Sequence, residues 1–223
     1  MLGVATPASA APKVALGGGS GIVMQSGPGQ ATLCTLGAIG HDRKQNLVGI
    51  TASSCAAHVN QGVFAGSRST PVGKYMAINP KIGYAVIALN PDMVRPVRVA
   101  GGVTIAGAAP APGIAQIVCK SGVSSGVDCG PTLGQPLPNP HRGEVLATAC
   151  SVGADAGGPV VAGDRLVGIV AGDRPIQVGP VGIDLPCPGI GGPLHNPLWS
   201  ADIMTILNDM NHTGGFGAGF RIA

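Results

Sequence analysis

The chain has 223 residues, enough for a large hydrophobic core, and an all-β barrel protein of this length often counts as one unit. Apolar residues make up 45% and charged residues 10%, a balance that excludes a disordered chain despite the 38 glycines and 20 prolines. The net charge is +3 and no run of Lys or Arg exceeds two residues, which argues against nucleic-acid binding. No stretch reaches the about 18 apolar residues of a membrane-spanning helix, so no integral membrane segment is expected.

Residues 1–16 are predicted to be a leader that precedes the folded protein. Residues 2–5 are apolar or small, and Ala8-Ser9-Ala10 has the small-x-small form of a signal-peptidase site. A basic n-region and a longer apolar core are missing, so we expect the chain to begin inside a signal peptide, through a late start site. A flexible terminus rich in Ala and Pro is the alternative interpretation.

Many short apolar segments follow the leader, each bounded by Gly, Pro, Asn or Asp. Their length is typical of strands, and several are continuous runs of Val, Ile and Leu, as in strands that are covered on both faces. The predicted strands are Ile22–Gln25, Ala31–Leu36, Leu47–Thr51, Val72–Ile78, Tyr84–Leu89, Val97–Ile105, Ala115–Cys119, Gly126–Cys129, Val145–Cys150, Pro159–Val161 and Leu166–Ala171.

One amphipathic helix is predicted near the end of the chain. Apolar residues recur with i, i+3, i+4, i+7 spacing at Ile203, Ile206, Leu207 and Met210. Ser200 is the predicted N-cap, and Trp199 is expected to pack on Met204 one turn later. A glycine-rich tail, residues 214–219, then leaves the helix. Many strands before a single terminal helix favour a β-barrel or β-sandwich over an α/β fold.

The cysteines and histidines indicate an oxidising compartment and no metal. The six cysteines form an even set without a Cys-x-x-Cys pair, which disfavours zinc and thioredoxin-like sites, although their number alone fixes no connectivity. The histidines show no ligand spacing, so neither a metal nor another cofactor is expected. The cysteines are Cys34, Cys55, Cys119, Cys129, Cys150 and Cys187, and the histidines are His41, His58, His141, His195 and His212.

The residues around Ala156 form the clearest motif. Cys150-Ser-Val-Gly-Ala-Asp-Ala-Gly-Gly-Pro159 resembles the Cys…Gly-Asp-Ser-Gly-Gly-Pro block of chymotrypsin-like serine proteases, especially small secreted bacterial members such as α-lytic protease and the streptogrisins. The resemblance places Ala156 at the nucleophile position, and alanine has no oxygen to acylate. Ala154 stands where the family has a glycine whose N–H belongs to the oxyanion hole. If that backbone needs a glycine-like φ, the Cβ disfavours it.

Two earlier segments resemble the remaining catalytic blocks of this family. Val48-Gly-Ile-Thr-Ala-Ser-Ser-Cys55 is similar to Thr-Ala-(Ala/Gly)-His-Cys, with Ser54 in the place of the general-base histidine. Lys81-Ile-Gly-Tyr-Ala-Val-Ile-Ala-Leu89 is similar to Asp-(Tyr/Ile)-Ala-(Val/Leu), with Gly83 in the place of the aspartate. A serine hydroxyl cannot accept a proton near pH 7 as imidazole does, and glycine cannot orient a base.

The resemblance also implies cross-links and a fold. Val118-Cys-Lys-Ser-Gly-Val-Ser-Ser-Gly-Val-Asp-Cys-Gly130 is similar to a hairpin of the α-lytic type, in which a basic residue pairs with the aspartate before the nucleophile; here these are Lys120 and Asp155. The implied disulfides are Cys34–Cys55, Cys119–Cys129 and Cys150–Cys187. The implied fold is all-β, with two six-stranded Greek-key barrels (residues 17–100 and 101–198) and a C-terminal helix and tail (residues 199–223).

These substitutions predict a secreted or cell-envelope protein that keeps the protease fold without the activity. We expect it to bind a peptide or protein partner near Gly168–Gly172, where active relatives hold an extended peptide by β-augmentation. A stable domain or relic without any ligand is a further interpretation that the sequence leaves open.

The alternative enzyme hypothesis moves the chemistry to other residues. Ser53, Ser54 and Ser151 lie near the former site in sequence, and His58 follows Ser54 by four residues. A new Ser–His pair would need hydrogen-bond contact and an orienting acid, for which Asp42 is the candidate.

Overall fold

A computed structural model describes residues 12–27, 29–67, 69–134, 143–173, 176–178, 181–183, 185, 187 and 195–223. The predicted signal-peptidase site at Ala8-Ser9-Ala10 and His141 lie outside these residues. The strands of the first half are β1 Val14–Leu16, β2 Gly21–Gly27, β3 Gln30–Thr35, β4 Ala38–His41, β5 Leu47–Ala52, β6 Gly62–Phe64, β7 Gly73–Asn79, β8 Tyr84–Leu89, β9 Val94–Pro96, β10 Val99–Ala100 and β11 Val103–Thr104.

The second half contains the remaining strands and a helix. They are β12 Gly107–Ala108, β13 Ile117–Gly122, β14 Gly126–Gly134, β15 Glu144–Ala147, β16 Pro159–Ala162, β17 Arg165–Asp173, β18 Ile176–Val178, β19 Val181–Ile183, β20 Leu198–Asp202, α1 Ile203–Thr213 and β21 Arg221–Ile222. No described helix is long and apolar enough to cross a membrane.

The first barrel is built from antiparallel strands in the order β21-β4-β5-β8-β7-β6-β2-β3, as far as the structure describes them. The position of strand β8 between two cores explains why its sequence is a continuous apolar run. Ala85 and Ile87 face the core of this barrel, whereas Tyr84 and Val86 face a second core shared with the other half. Because successive side chains point to opposite faces, a strand between two cores must be apolar throughout.

The second barrel closes on itself. Among the described strands its order is β17-β16-β13-β14-β15-β20, and β17 pairs again with β20 to complete six strands. The parallel strand β12 adds to β17 at the outside. The all-β, two-barrel fold with a C-terminal helix that the sequence predicted is therefore confirmed.

Short segments near both ends of the chain join the sheets. Val14–Leu16, inside the predicted leader, pairs in parallel with Val94–Pro96. The segment Leu198–Asp202 completes the second barrel, so the terminal unit begins at Ile203. The tail returns to the first barrel, where Arg221–Ile222 pairs with β4. These short segments form strands because they pair with strands that are far away in the sequence.

The helix cap was predicted at the wrong residue. Ser200 lies within β20, and its hydroxyl donates to the carbonyl of Val145 at 3.0 Å, so it is not available as a cap. Asp202 is the N-cap, because its carboxylate accepts from the Thr205 N–H at 2.8 Å. The helix ends at Gly214, which has the left-handed φ of 65° that favours glycine.

Candidate functional site

Two of the three predicted triad positions meet at the ends of paired strands. Ser54 lies in a 3₁₀ turn directly after β5, and Gly83 lies directly before β8. Since β5 and β8 are antiparallel neighbours, the end of one adjoins the start of the other, and the Ser53 N–H donates to the Gly83 carbonyl at 3.0 Å. The buried Tyr75 hydroxyl fixes the same turn by donating to the Cys55 carbonyl at 2.6 Å.

Ala156 lies against this turn from the second barrel. It follows the 3₁₀ turn Gly153–Asp155, and its carbonyl accepts from the Thr35 N–H at 3.0 Å. The same oxygen lies 3.5 Å from the Sγ of Cys55, which is bonded to Cys34 as predicted. The fold thus gathers all three predicted positions at the junction of the two barrels.

The side chains at the three gathered positions are a hydroxymethyl group, a hydrogen and a methyl group. Ser54 is exposed, and within the described residues its hydroxyl forms no hydrogen bond to a partner. Gly83 has a φ of 100°, a left-handed conformation that strains any side chain, and a Cβ placed there would lie 3.9 Å from the Ala201 methyl and 4.0 Å from the Ala171 methyl. An aspartate at this position would be strained and would face methyl groups.

The backbone at the predicted oxyanion-hole position is also closed. The Ala156 N–H donates to the Gly153 carbonyl at 3.2 Å. In a planar trans peptide the C=O of Gly153 and the N–H of Ala154 point in opposite directions. The Ala154 N–H therefore points away from the Ala156 N–H, whereas an oxyanion hole needs both donors to converge on one point.

The side chain of Ala154 is accommodated by this closed turn. Ala154 is not among the described residues with positive φ, so the glycine-like φ considered from the sequence is not adopted and no strain arises there. Its carbonyl accepts from the Thr35 hydroxyl at 2.9 Å, and that hydroxyl in turn accepts from the Val123 N–H at 3.1 Å. Sequence reasoning missed Thr35, and only its position next to Cys34 could have drawn attention to it.

Asp155, inside the same turn, forms a buried ion pair with Lys120. The Lys120 Nζ lies 2.9 Å from the Asp155 Oδ2, and both side chains are completely buried. The other carboxylate oxygen accepts from the backbone N–H groups of Ser124 and Ser125 at 3.0 and 3.1 Å, and the Ser125 hydroxyl contacts both charged groups. The pair therefore ties the turn to the tip of the β13–β14 hairpin.

The pKa of Asp155 reflects two opposing effects. Burial raises the pKa, but hydrogen bonds from Ser125, Lys120 and the Val152 N–H outweigh burial and hold the pKa below its usual value. The carboxylate is therefore ionised in the folded protein. The other predicted disulfides, Cys119–Cys129 and Cys150–Cys187, also form around this region.

Known proteins resemble this chain in fold only. No protein-family model matches the sequence, and no curated protein is significantly similar to it. Nocardiopsis protease is 20% identical and covers 88% of this chain and 96% of its own, with a TM-score of 0.64. Thermobifida fusca protease A is 21% identical over 94% of this chain and 100% of its own, with a TM-score of 0.67. An alpha-lytic protease homolog, N4, is 22% identical over 89% and 98%, with a TM-score of 0.63. The chain has the chymotrypsin-like fold.

In this chymotrypsin-like fold, the last residues of β17 pair on one side only, as far as the described strands show. The pairing of β17 with residues 157–162 ends at Val170. The Val170 carbonyl accepts from the Gly157 N–H, and the Val170 N–H donates to the Gly158 carbonyl, both at 2.8 Å. Beyond Val170, Gly172 and Asp173 pair with β20 and with no other described strand, and Ala171 lies at a register shift between them and Val170. An extended peptide could therefore add to this edge by main-chain hydrogen bonds.

The residues of the alternative enzyme hypothesis do not assemble. His58 is exposed and its Nδ1 lies 3.0 Å from the Val59 carbonyl, and no serine hydroxyl contacts a histidine in the described part of the chain. Asp42 closes its own turn by accepting from Lys44 and Asn46 at 2.9 Å each. The described residues also contain no cluster of three or more His, Cys, Asp or Glu side chains that could hold a metal.

Proposed function

We propose that this protein is a non-catalytic member of the chymotrypsin-like fold that binds an extended peptide segment of a partner protein outside the cytoplasm. The observation that carries the proposal is the closed turn, in which the Gly153 carbonyl accepts the hydrogen bond of the Ala156 N–H. Ala156 itself has no nucleophilic side-chain atom. Catalysis by this fold needs a nucleophile, a base and two convergent N–H donors, and the described site offers none of these.

The magnitudes support a non-catalytic role. Loss of the serine or the histidine alone reduces the turnover of a serine protease by about a million-fold. Loss of one oxyanion donor from an otherwise intact site reduces the turnover by a factor of roughly 100 to 1,000. All three predicted triad positions are substituted, by Ser54, Gly83 and Ala156. A single neighbouring side chain therefore could not restore the missing catalytic groups.

Peptide binding is supported by what the fold keeps. Gly153 is exposed and Ala154 is half-buried in the turn between the barrels, and β17 beyond Val170 pairs on one side only among the described residues. β-Augmentation requires only such an edge and space for alternate side chains. No catalytic group takes part in this type of binding.

An extracytoplasmic location is supported by the cysteines. All six are paired in disulfides, which form and persist in oxidising compartments and are rare in the cytosol. The small-x-small sequence Ala8-Ser9-Ala10 is consistent with export.

The catalytic half of the proposal is tested with a fluorophosphonate probe and a chromogenic peptide mixture. We expect no labelled serine and no hydrolysis above the buffer rate, since activated oxygen nucleophiles are missing. Labelling of any serine that is abolished by its replacement with alanine would overturn the proposal and favour an active hydrolase.

The binding half is tested by selecting peptides from a displayed library on the immobilised, oxidised protein. We expect a set of extended peptides to be retained, and Ala171→Phe, which fills the cleft beside β17, to weaken their binding at least about tenfold. The matched control is Ala31→Phe, at the exposed beginning of β3. An empty selection, or equal effects of the two variants, would contradict peptide binding at this edge.

A further inference from the structure

A cleft of about 780 Å³ lies where the C-terminal tail returns to the first barrel. We call it the tail cleft; its lining includes His41, Asp42, Arg43, Asn211 and Arg221. It shares no residue with the turn Gly153–Asp155 or with the β17 edge. Its volume lies within the range of small-molecule sites, roughly 300 to 1,000 Å³.

Two arginines of the tail cleft have no acidic partner among the residues that the structure describes. Arg43 and Arg221 are both exposed, and neither forms an ion pair within the described residues. Arg221 stands directly opposite His41 in the pairing of β21 with β4, so these two side chains lie on the same face of the sheet. Arg43 also lines this cleft, so two guanidinium groups border the same space.

Gly219 allows Arg43 to lie across the tail. Its φ is 75°, and a Cβ placed on it would lie 3.0 Å from the Arg43 Cβ and 3.2 Å from the Arg43 Nε. The Gly219 N–H donates to the Asn211 Oδ1 at 2.6 Å, which orients that amide and leaves its NH₂ group as a donor. The tail thus holds a guanidinium and an amide donor beside the cleft.

Asp42, an acidic residue of the tail cleft, forms no ion pair with Arg43 or Arg221 within the described residues. One oxygen of Asp42 accepts from the backbone N–H groups of Lys44 and Asn46 at 2.9 Å each. The other oxygen accepts from the Asn46 side chain at 2.8 Å and from the Gly217 N–H at 3.3 Å. Asp42 is buried and committed to the turn and the tail, whereas the two arginine side chains are exposed.

We propose that the tail cleft binds a small multivalent oxyanion, a polycarboxylate or a polyphosphate, through Arg43 and Arg221. The guanidinium fork matches both carboxylate and phosphate oxygens and forms charge-assisted hydrogen bonds to them. The amide of Asn211 supplies a further neutral donor. This site is independent of the peptide-binding edge, so either proposal can fail without the other.

Isothermal titration of the oxidised full chain at constant ionic strength tests the inference, with citrate and pyrophosphate as probes. We expect saturable one-to-one binding of at least one probe. Arg43→Gln and Arg221→Gln should each weaken that binding by about tenfold or more, the effect of losing a charge-assisted hydrogen bond. Arg95→Gln, an exposed arginine on β9 with the same change in net charge, is the matched control and should bind normally.

Binding of citrate alone would assign a carboxylate ligand, and binding of pyrophosphate alone would assign a phosphate ligand; both support the site. Failure of both probes to bind would overturn it. An equal loss in Arg95→Gln would also overturn it, because it would show that only net charge matters. Arg221→Lys keeps the charge without the fork and should bind with intermediate affinity, which separates the geometry of the guanidinium from its charge.

Discussion

Asp155 is completely buried next to a position that has no nucleophile, so its carboxylate serves the structure of the turn. It accepts from Lys120, from the backbone at Ser124 and Ser125, and from the Val152 N–H at 3.1 Å. A buried ion pair contributes little net stability compared with an apolar pair, but removal of one partner leaves an uncompensated charge. The stability of the turn is therefore sensitive to the charge of this one residue.

We expect Asp155→Asn to lower the free energy of unfolding at neutral pH by about 3 to 5 kcal/mol. The pKa of Asp155 is lower in the folded chain than the about 3.9 of an unfolded aspartate. Its contribution is therefore complete above the unfolded pKa and is lost as the pH falls through the folded pKa.

Urea unfolding between pH 7 and pH 2 measures both effects, and the acid-side slope should be shallower in Asp155→Asn. The control is Asp164→Asn, at a side chain that is 55% exposed, which should change stability by less than about 0.5 kcal/mol. Equal stability of Asp155→Asn and the wild type would show that the buried pair does not stabilise the turn.

The 3₁₀ turn Gly153–Asp155 is the element that decides what the cleft can do. The turn directs the Gly153 carbonyl toward the Ala156 N–H, and the Thr35 hydroxyl holds the Ala154 carbonyl from the first barrel. Both contacts are made by backbone groups of the turn, so replacement of side chains at the triad positions does not remove them.

We therefore expect the triple variant Ser54→His, Gly83→Asp, Ala156→Ser to fold but to remain without peptidase activity. The φ of 100° strains an aspartate at position 83, and the two N–H donors still diverge. Hydrolysis of a chromogenic peptide and an ester, with circular dichroism as the check of folding, measures this outcome. Turnover by the folded triple variant that disappears when position 156 is returned to alanine would show that the turn opens in solution.

The two barrels form one molecule through a shared apolar core. Ile50 and Val86 of the first barrel pack with Ile169 and Ile203, which belong to the second barrel and the helix, and all are buried. The tail adds a second connection, since Arg221–Ile222 pairs with β4. No disulfide joins the barrels: Cys34–Cys55 lies in the first, and the other two lie in the second half. The shared core therefore predicts that both barrels unfold together.

Removal of the first-barrel disulfide tests this coupling, because the single tryptophan, Trp199, lies in β20 of the second barrel. Cys34→Ala with Cys55→Ala opens a loop of 21 residues and should lower the free energy of unfolding by about 3 kcal/mol. The urea transition followed by Trp199 fluorescence should shift by the same amount as that followed by circular dichroism. An unchanged fluorescence transition would mean that the barrels unfold independently.

The strands that the sequence predicted well are those with long apolar runs. Tyr84–Leu89 has the predicted bounds, and the strand predicted at Leu47–Thr51 extends by one residue to Ala52. Ala38–His41 and Gly62–Phe64 were missed, since strands of three or four residues are specified by their partners and not by their own pattern. Val97–Ile105 was predicted as one strand but divides into β10 and β11 around the left-handed Gly101 and Gly102.

The sequence by itself determined which functional groups the site contains, because the side chains of Ser54, Gly83 and Ala156 are the same in every conformation. Its apolar segments also determined the all-β class, since continuous apolar runs of strand length need cover on both faces. Only the tertiary structure decided that the Gly153 carbonyl accepts from the Ala156 N–H and that Arg43 and Arg221 line the same tail cleft. The orientation of a peptide plane and the meeting of residues far apart in the chain depend on hydrogen bonds between distant segments, which no local pattern encodes.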